Sequence, residues 1–174
     1  MKRRTLINGI VAAIGTGIMT APGRFARATG AEAMEFRPLD KSKDEWRELL
    51  PADRYRILFK SGTERAFTSP LNEEKRSGTY VCAACYLPLF SSEAKYDSGT
   101  GWPSFTRPLA ERHIGTERDF KLILPRTEYH CARCGGHQGH VFDDGPAPRG
   151  QRWCNNGLAL EFVPEGETLP ELRG

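Results

Sequence analysis

Two Cys-x-x-Cys turns, Cys82-Ala83-Ala84-Cys85 and Cys131-Ala132-Arg133-Cys134, constrain this chain more than any other feature. Each turn presents a pair of thiolates, and two such pairs complete the tetrahedral shell that Zn²⁺ prefers. The chain must then fold so that two segments far apart in sequence meet at one point. Two disulfides are the rival reading, open to an exported protein. A Cys-x-x-Cys disulfide closes a very small loop, however, and on loop entropy it stabilises little. His130 and His137 flank the second pair and are alternative ligands, but four thiols already suffice. The spacing favours one zinc ion held by Cys82, Cys85, Cys131 and Cys134, a closed site of the structural kind.

The use of thiols has to be reconciled with the N-terminus. Met1-Lys2-Arg3-Arg4 is followed by an apolar stretch from Leu6 to Met19 and then by Ala26-Arg27-Ala28, an A-x-A cleavage pattern. The paired arginines resemble a twin-arginine signal, with a general secretory signal and a retained anchor as the alternatives. The stretch is short of the about 20 apolar residues of a membrane span, and the leader has no cysteine for a lipid. The twin-arginine route carries folded proteins, so a zinc site built in a reducing cytoplasm would reach the periplasm with its thiols already protected. The expected organisation is a signal peptide over 1–28, a linker over 29–41 and one domain over 42–174, without stable membrane association once the signal is cut. The leader also explains the net charge of +3. Removing its five bases from the 25 Lys and Arg leaves 20 against 22 acids, a formal −2. That sign excludes a phosphate-binding domain and hence a nucleic-acid partner.

Ser42-Lys43-Asp44-Glu45 is a capping box opening a short helix, whose apolar face is Trp46, Leu49 and Leu50 before Pro51 interrupts. A second short helix is expected from Ala52 to Phe59. Thr79–Val81, Leu87–Phe90, Phe120–Leu124 and Leu158–Val163 read as strands, the last with Leu158, Leu160 and Phe162 on one face. Gly and Pro punctuate nearly every gap. The expectation is a mainly β, antiparallel domain, sandwich or barrel-like, with a short N-terminal helical segment.

Cys154 stands apart from the other four cysteines, in Arg152-Trp153-Cys154-Asn155-Asn156-Gly157. A lone thiol is often a small buried hydrophobe. Arg152, a neighbouring cation, favours the thiolate, which is the nucleophile. His137 and His140 lie in what reads as a Gly-rich loop tethered to the second cysteine pair. Asp97, Asp143 and Asp144 sit among Gly and Ser and read as turn residues.

At this point the chain resembles the methionine-R-sulfoxide reductases. The resemblance runs from about Tyr55 to Val163 and is carried by Gly62-Thr63-Glu64, Ser98-Gly99-Thr100-Gly101-Trp102-Pro103-Ser104-Phe105, both cysteine pairs, His137-x-x-His140-Val141-Phe142-Asp143-Asp144-Gly145-Pro146 and Arg152-Trp153-Cys154-x-Asn156. It implies compact β sheets around a zinc ribbon and reduction of the R epimer of methionine sulfoxide in oxidised proteins or peptides. It further implies Cys154 as nucleophile, with His140, His137 and Asn156 around the sulfoxide oxygen, Trp102 against the substrate methyl group, and Arg152 supporting the thiolate. Many relatives carry a resolving cysteine where this chain has Thr100. With the cysteine count exhausted, a thioredoxin-like protein or another external thiol would have to reduce Cys154. Asn155 and Gly157 also depart from the commoner residues and are expected to tune activity. A zinc-ribbon binding module would leave Cys154, Trp102 and the histidines unexplained. A thiol–disulfide oxidoreductase would require a βαβ setting that neither cysteine pair has.

Overall fold

In a computed structural model the protein is described over residues 34–120 and 125–174. The expected signal peptide and most of the Phe120–Leu124 strand lie outside these residues. Residues 34–42 carry no regular secondary structure, yet Met34, Phe36 and Leu39 pack on the core. The capping box forms as expected at the start of α1 (Lys43–Leu49): the Ser42 side chain accepts from the Glu45 amide while Glu45 accepts from the Ser42 amide. α2 spans Ala52–Lys60. Trp46 of α1 stacks on Phe59 of α2 with ring centroids 5.2 Å apart, so the two helices share one apolar seam. No helix among the described residues is long and apolar enough to cross a membrane.

The rest is β structure. β1 (Gly78–Cys82), β2 (Pro88–Ser91) and β9 (Leu160–Pro164) form one antiparallel sheet in the order β2-β1-β9. β3 (Lys95–Tyr96), β4 (Ser104–Phe105), β5 (Ile114–Asp119), β6 (Arg126–Cys131), β7 (His137–Phe142) and β8 (Arg152–Asn155) form a second, ordered β3-β4-β8-β7-β6-β5. Every strand pair is antiparallel. Neither sheet closes on itself, so the barrel-like expectation gives way to two open sheets. Aromatic rings fill the space between them: Phe90 stacks on Phe105 at 4.2 Å, Tyr80 meets Phe105 edge-on at 5.0 Å, and Tyr129 meets Trp153 edge-on at 5.0 Å. Such offset and edge contacts suit the ring quadrupoles and add to the burial of large apolar areas.

The six-stranded sheet has two unlike faces, because successive side chains alternate across a strand. Thr127, Val141, Trp153 and Phe105 form one row across β6, β7, β8 and β4, and Trp153 and Phe105 turn into the aromatic core. The next row, Glu128, His140, Cys154 and Ser104, faces the other way. The histidines read as loop residues thus belong to strand β7. Pairing with β6 and β8 gives this polar, Gly-containing segment its shape.

Candidate active site and metal centre

The two cysteine turns sit at corresponding positions, after β1 and after β6, and share a backbone plan. The Tyr86 amide donates to Cys82 O at 2.8 Å and the Gly135 amide to Cys131 O at 2.9 Å. The Cys82 amide donates to Leu87 O at 2.9 Å and the Cys131 amide to Gly136 O at 3.0 Å. The residue after the second cysteine takes a left-handed conformation in both, φ 71° at Gly135 and 64° at Tyr86. Glycine accepts that region freely, whereas a side chain there costs roughly 1–2 kcal/mol. The Arg173 guanidinium lies 4.2 Å from the centre of the Tyr86 ring, holding the strained residue in place.

The turns bring four buried, free thiols together, with all four sulfurs within 4.8 Å of one another. Cys82 Sγ lies 3.7 Å from Cys134 Sγ, and Cys85 Sγ lies 3.5 Å from Cys131 Sγ. Four sulfurs about 2.3 Å from one tetrahedral ion would be separated by about 3.8 Å. The disulfide alternative needs about 2.05 Å, and every cysteine is free. Burial pushes the Cys82 thiol well up, while hydrogen bonds from Cys131 and Cys134 pull Cys85 far down. The group fits a metal ion. His130 and His137 stand outside it.

Cys154 is half-buried and lines a cleft of about 110 Å³, the size of a single side chain. Trp102, His140, Phe142, Asn155 and Asn156 line the same cleft, with Thr63 and Arg126 at its edge. Burial raises the Cys154 thiol above its ordinary pKa; the Arg152 cation and hydrogen bonds to Thr100 and Ser104 pull the other way and do not prevail. Arg152, two residues away on the same face of β8, is clasped by Asp144 through two hydrogen bonds of 2.8 Å and lies over the Phe142 ring at 4.3 Å. It does not line the cleft, and it acts on Cys154 through its field. Asp144, read as a turn residue, is the carboxylate that holds it. The turn reading does describe Asp97, whose carboxylate accepts from the Gly99 amide at 2.9 Å.

Three acids that the sequence reading passed over complete the site. His140 Nε2 lies 2.8 Å from Asp119, which also binds Arg126 at 2.6 Å. His137 Nδ1 lies 2.7 Å from Glu128. Both carboxylates are buried, so each fixes one imidazole in orientation and tautomer. Glu64 is the third. Its carbonyl accepts from Trp102 Nε1 at 3.2 Å, its amide donates to Asn156 Oδ1 at 3.1 Å, and its carboxylate accepts from the amides of Gly157 and Leu158. One residue thus positions the indole and the amide on opposite sides of the cleft. Asn156 also donates to Gln138 O at 3.0 Å, and the buried Asn155 accepts from the Tyr129 hydroxyl at 2.7 Å. His137 is held beneath His140, with ring centroids 5.5 Å apart, rather than at the cleft surface. The signal for Asp119, Glu64 and Glu128 was present as acids amid strand-like or motif residues, but only the register shows what they face.

The arrangement offers a nucleophilic sulfur in a one-side-chain cleft, with a carboxylate-oriented imidazole on the neighbouring strand. The SelR domain family matches residues 50–164. A protein of Leptospira interrogans named peptide methionine sulfoxide reductase MsrB is 48% identical over 127 residues, covering 73% of this chain and 97% of its own. Proteins of the same name from Bradyrhizobium diazoefficiens and Methanosarcina barkeri are 50% and 44% identical, covering 90% and 94% of their own lengths. Since the match takes in most of this chain and nearly all of each relative, the chain belongs to the SelR-domain, or MsrB, family.

Proposed function

We propose that the protein reduces the R epimer of methionine sulfoxide in oxidised peptides and proteins, with Cys154 as the nucleophile. The observation that carries this reading is the pairing of His140 with Cys154 across β7 and β8, both lining a cleft sized for one side chain. A sulfoxide sulfur becomes electrophilic when its oxygen is hydrogen-bonded or protonated, so attack needs sulfur on one side and a proton donor on the other. Cys154 Sγ attacks the sulfoxide sulfur, with His140 supplying a proton as charge develops on oxygen. The oxygen ends on Sγ as a sulfenic acid and the thioether leaves with its electron pair. Cys154 loses two electrons, methionine sulfur gains two, and the proton leaving the Cys154 thiol replaces the one that His140 gives to oxygen, so the sulfenic acid carries one proton and His140 ends as it began. Two equivalents of an external thiol, supplied by a thioredoxin-like protein or a small thiol, then restore Cys154 and release water and a disulfide. Trp102 packs against the substrate methyl group, and Glu64 holds both Trp102 and Asn156. Arg152 steadies the thiolate as it forms.

Cys82, Cys85, Cys131 and Cys134 would hold a zinc ion, which supplies a covalent tie between the two sheets rather than a catalytic step. Support for zinc is the donor set, four buried thiols at near-tetrahedral spacing. Activity on separated R and S epimers of a peptide methionine sulfoxide tests the function. Wild type should turn over the R epimer only, and Cys154→Ser should turn over neither. Equal use of both epimers, or an active Cys154→Ser, would overturn the reading.

For location we propose the periplasm, reached by the twin-arginine route, on the strength of Arg3-Arg4 and Ala26-Arg27-Ala28. Arg3→Lys combined with Arg4→Lys should strand the precursor in the cytoplasm, as fractionation would show. Normal export of that variant would point to the general secretory route.

A further inference from the structure

Gln138 of β7 is fully buried. An apolar side chain would fill that space with less penalty, because each polar atom of a buried amide needs a partner. The partners of Gln138 lie in two places. Its Nε2 is 3.5 Å from Cys82 Sγ and 3.4 Å from Gly136 O, and its Oε1 is 3.5 Å from Asn155 Nδ2. Its backbone carbonyl accepts from the Asn156 amide at 2.8 Å and from Asn156 Nδ2 at 3.0 Å. One residue thus touches the four-cysteine cluster at one end and, at the other, two residues that line the Cys154 cleft. We propose that Gln138 is a positioning residue for sulfoxide reduction, a bridge through which the cleft and the metal centre each respond to occupancy of the other. The inference rests on the sulfoxide and zinc readings above and adds the route between their two sites.

The direction of the bridge is fixed by groups that can only accept. Gly136 O is one, so the Gln138 NH2 turns toward it and with it toward Cys82 Sγ. Asn156 O is the other, 2.7 Å from Asn155 Nδ2. The Asn155 NH2 therefore faces the Gln138 side-chain carbonyl, while its own carbonyl accepts from the Tyr129 hydroxyl at 2.7 Å. Each amide directs its NH2 toward the cysteines and its carbonyl away from them, an alignment in which successive hydrogen bonds polarise one another.

Both ends of the bridge meet chemistry. At Cys82 the sulfur faces a donor, the partner that suits a metal-bound thiolate and that tunes its bond to the metal. At the cleft, Asn156 Oδ1 already accepts from the Glu64 amide at 3.1 Å, so its NH2 is the group left to share between Gln138 O and a sulfoxide oxygen. A bound sulfoxide that draws on this NH2 loosens its hold on Gln138, and the adjustment reaches Cys82 Sγ through the Gln138 side chain. Coupling between two sites is reciprocal, so occupancy of the cleft can be read at the metal.

The test places cobalt(II) in the four-cysteine site of the full chain, since the sulfur-to-cobalt charge-transfer band follows electron density on sulfur and moves when a hydrogen bond to sulfur changes. The parent protein is Cys154→Ser, which cannot turn the sulfoxide over. The probe is N-acetyl-methionine R-sulfoxide amide, its binding measured separately by calorimetry. In the parent, saturation with the probe should shift the band. Adding Gln138→Leu keeps the backbone carbonyl that holds Asn156 and removes only the side-chain bridge. The resting band should then lie at longer wavelength, and the shift on saturation should vanish although the probe still binds. Gln138→Met, unbranched and closer in length, gives the same comparison if Gln138→Leu folds poorly. With Cys154 present, either substitution should lower kcat by roughly tenfold, the worth of one buried hydrogen bond. No shift in the saturated parent, a Gln138 variant that keeps the full shift, or an unchanged kcat would overturn the bridge. A parent that binds no probe would overturn the sulfoxide reading, cysteines that take up no cobalt would overturn the metal reading, and the bridge would fall with either.

Discussion

His140→Ala should lower turnover on methionine sulfoxide by roughly 10²–10⁴, the usual span for loss of a general acid, with metal content unchanged. His140 lies opposite Cys154 in the β7–β8 register, lines the cleft, and is oriented by the buried Asp119. Without the imidazole, negative charge growing on the sulfoxide oxygen has no donor at that side. The residue is remote in function from the four cysteines, since none of the grouped sulfurs includes a histidine among its neighbouring ligand atoms. Steady-state kinetics with metal analysis on the same preparation decides the matter. Unchanged turnover would assign the proton to another donor, and loss of metal would assign His140 a structural role.

The other large effect is on folding. Cys82→Ser should yield a protein that loses its zinc and fails to fold stably, because metal binding at such sites supplies on the order of 10–16 kcal/mol of folding free energy in small zinc peptides. A domain with ordinary stability of about 5–15 kcal/mol does not survive losing a large part of that. The position matters for this chain because both turns are tied to the segments before α1 and after β9: Arg133 donates to Cys85 O and to Arg173 O, and the Leu39 amide donates to Arg133 O at 2.6 Å. Opening the cysteine cluster therefore frees the segments before α1 and after β9 together. Metal analysis of the wild type should find one zinc per chain, and thermal unfolding of Cys82→Ser should begin far below that of the wild type. Native wild type with four oxidised sulfurs and no zinc would refute the site, as would a metal-free Cys82→Ser of wild-type stability.

The residues that announce themselves in sequence are those whose chemistry needs a fixed local spacing. The cysteine turns, the capping box at Ser42 and the β1, β2 and β9 strands were legible for that reason, as each depends on neighbours within a few residues. The six-stranded sheet was not. β5, β6 and β8 read Ile-Gly-Thr-Glu-Arg-Asp, Arg-Thr-Glu-Tyr-His-Cys and Arg-Trp-Cys-Asn, with charged residues where an amphipathic strand would place apolar ones. Their charges Asp119, Arg126, Glu128 and Arg152 lie on the face of the sheet opposite the aromatic core, each paired in the site. The function of the site thus hides the periodicity that would have revealed the strands that build it. Glu64 was visible only as part of a motif; its work, holding Trp102 and Asn156 across the cleft, depends on contacts from residues far along the chain.

In the proposed reaction Cys154 alone carries the oxidation. Thr100 and Ser104 hydroxyls, not a second thiol, lie beside it, and Ser98 Oγ lies 2.8 Å from both Thr100 Oγ1 and Ser104 Oγ. The remaining cysteines are buried together in the four-sulfur cluster. One equivalent of R-methionine sulfoxide peptide, added without reductant and followed by a sulfenic-acid trapping reagent and peptide mass analysis, addresses this directly. One methionine should form per chain, with the trapped label on Cys154 and zinc retained. A disulfide from Cys154 to Cys82, Cys85, Cys131 or Cys134 with release of zinc, or methionine formed with Cys154 unmodified, would contradict it.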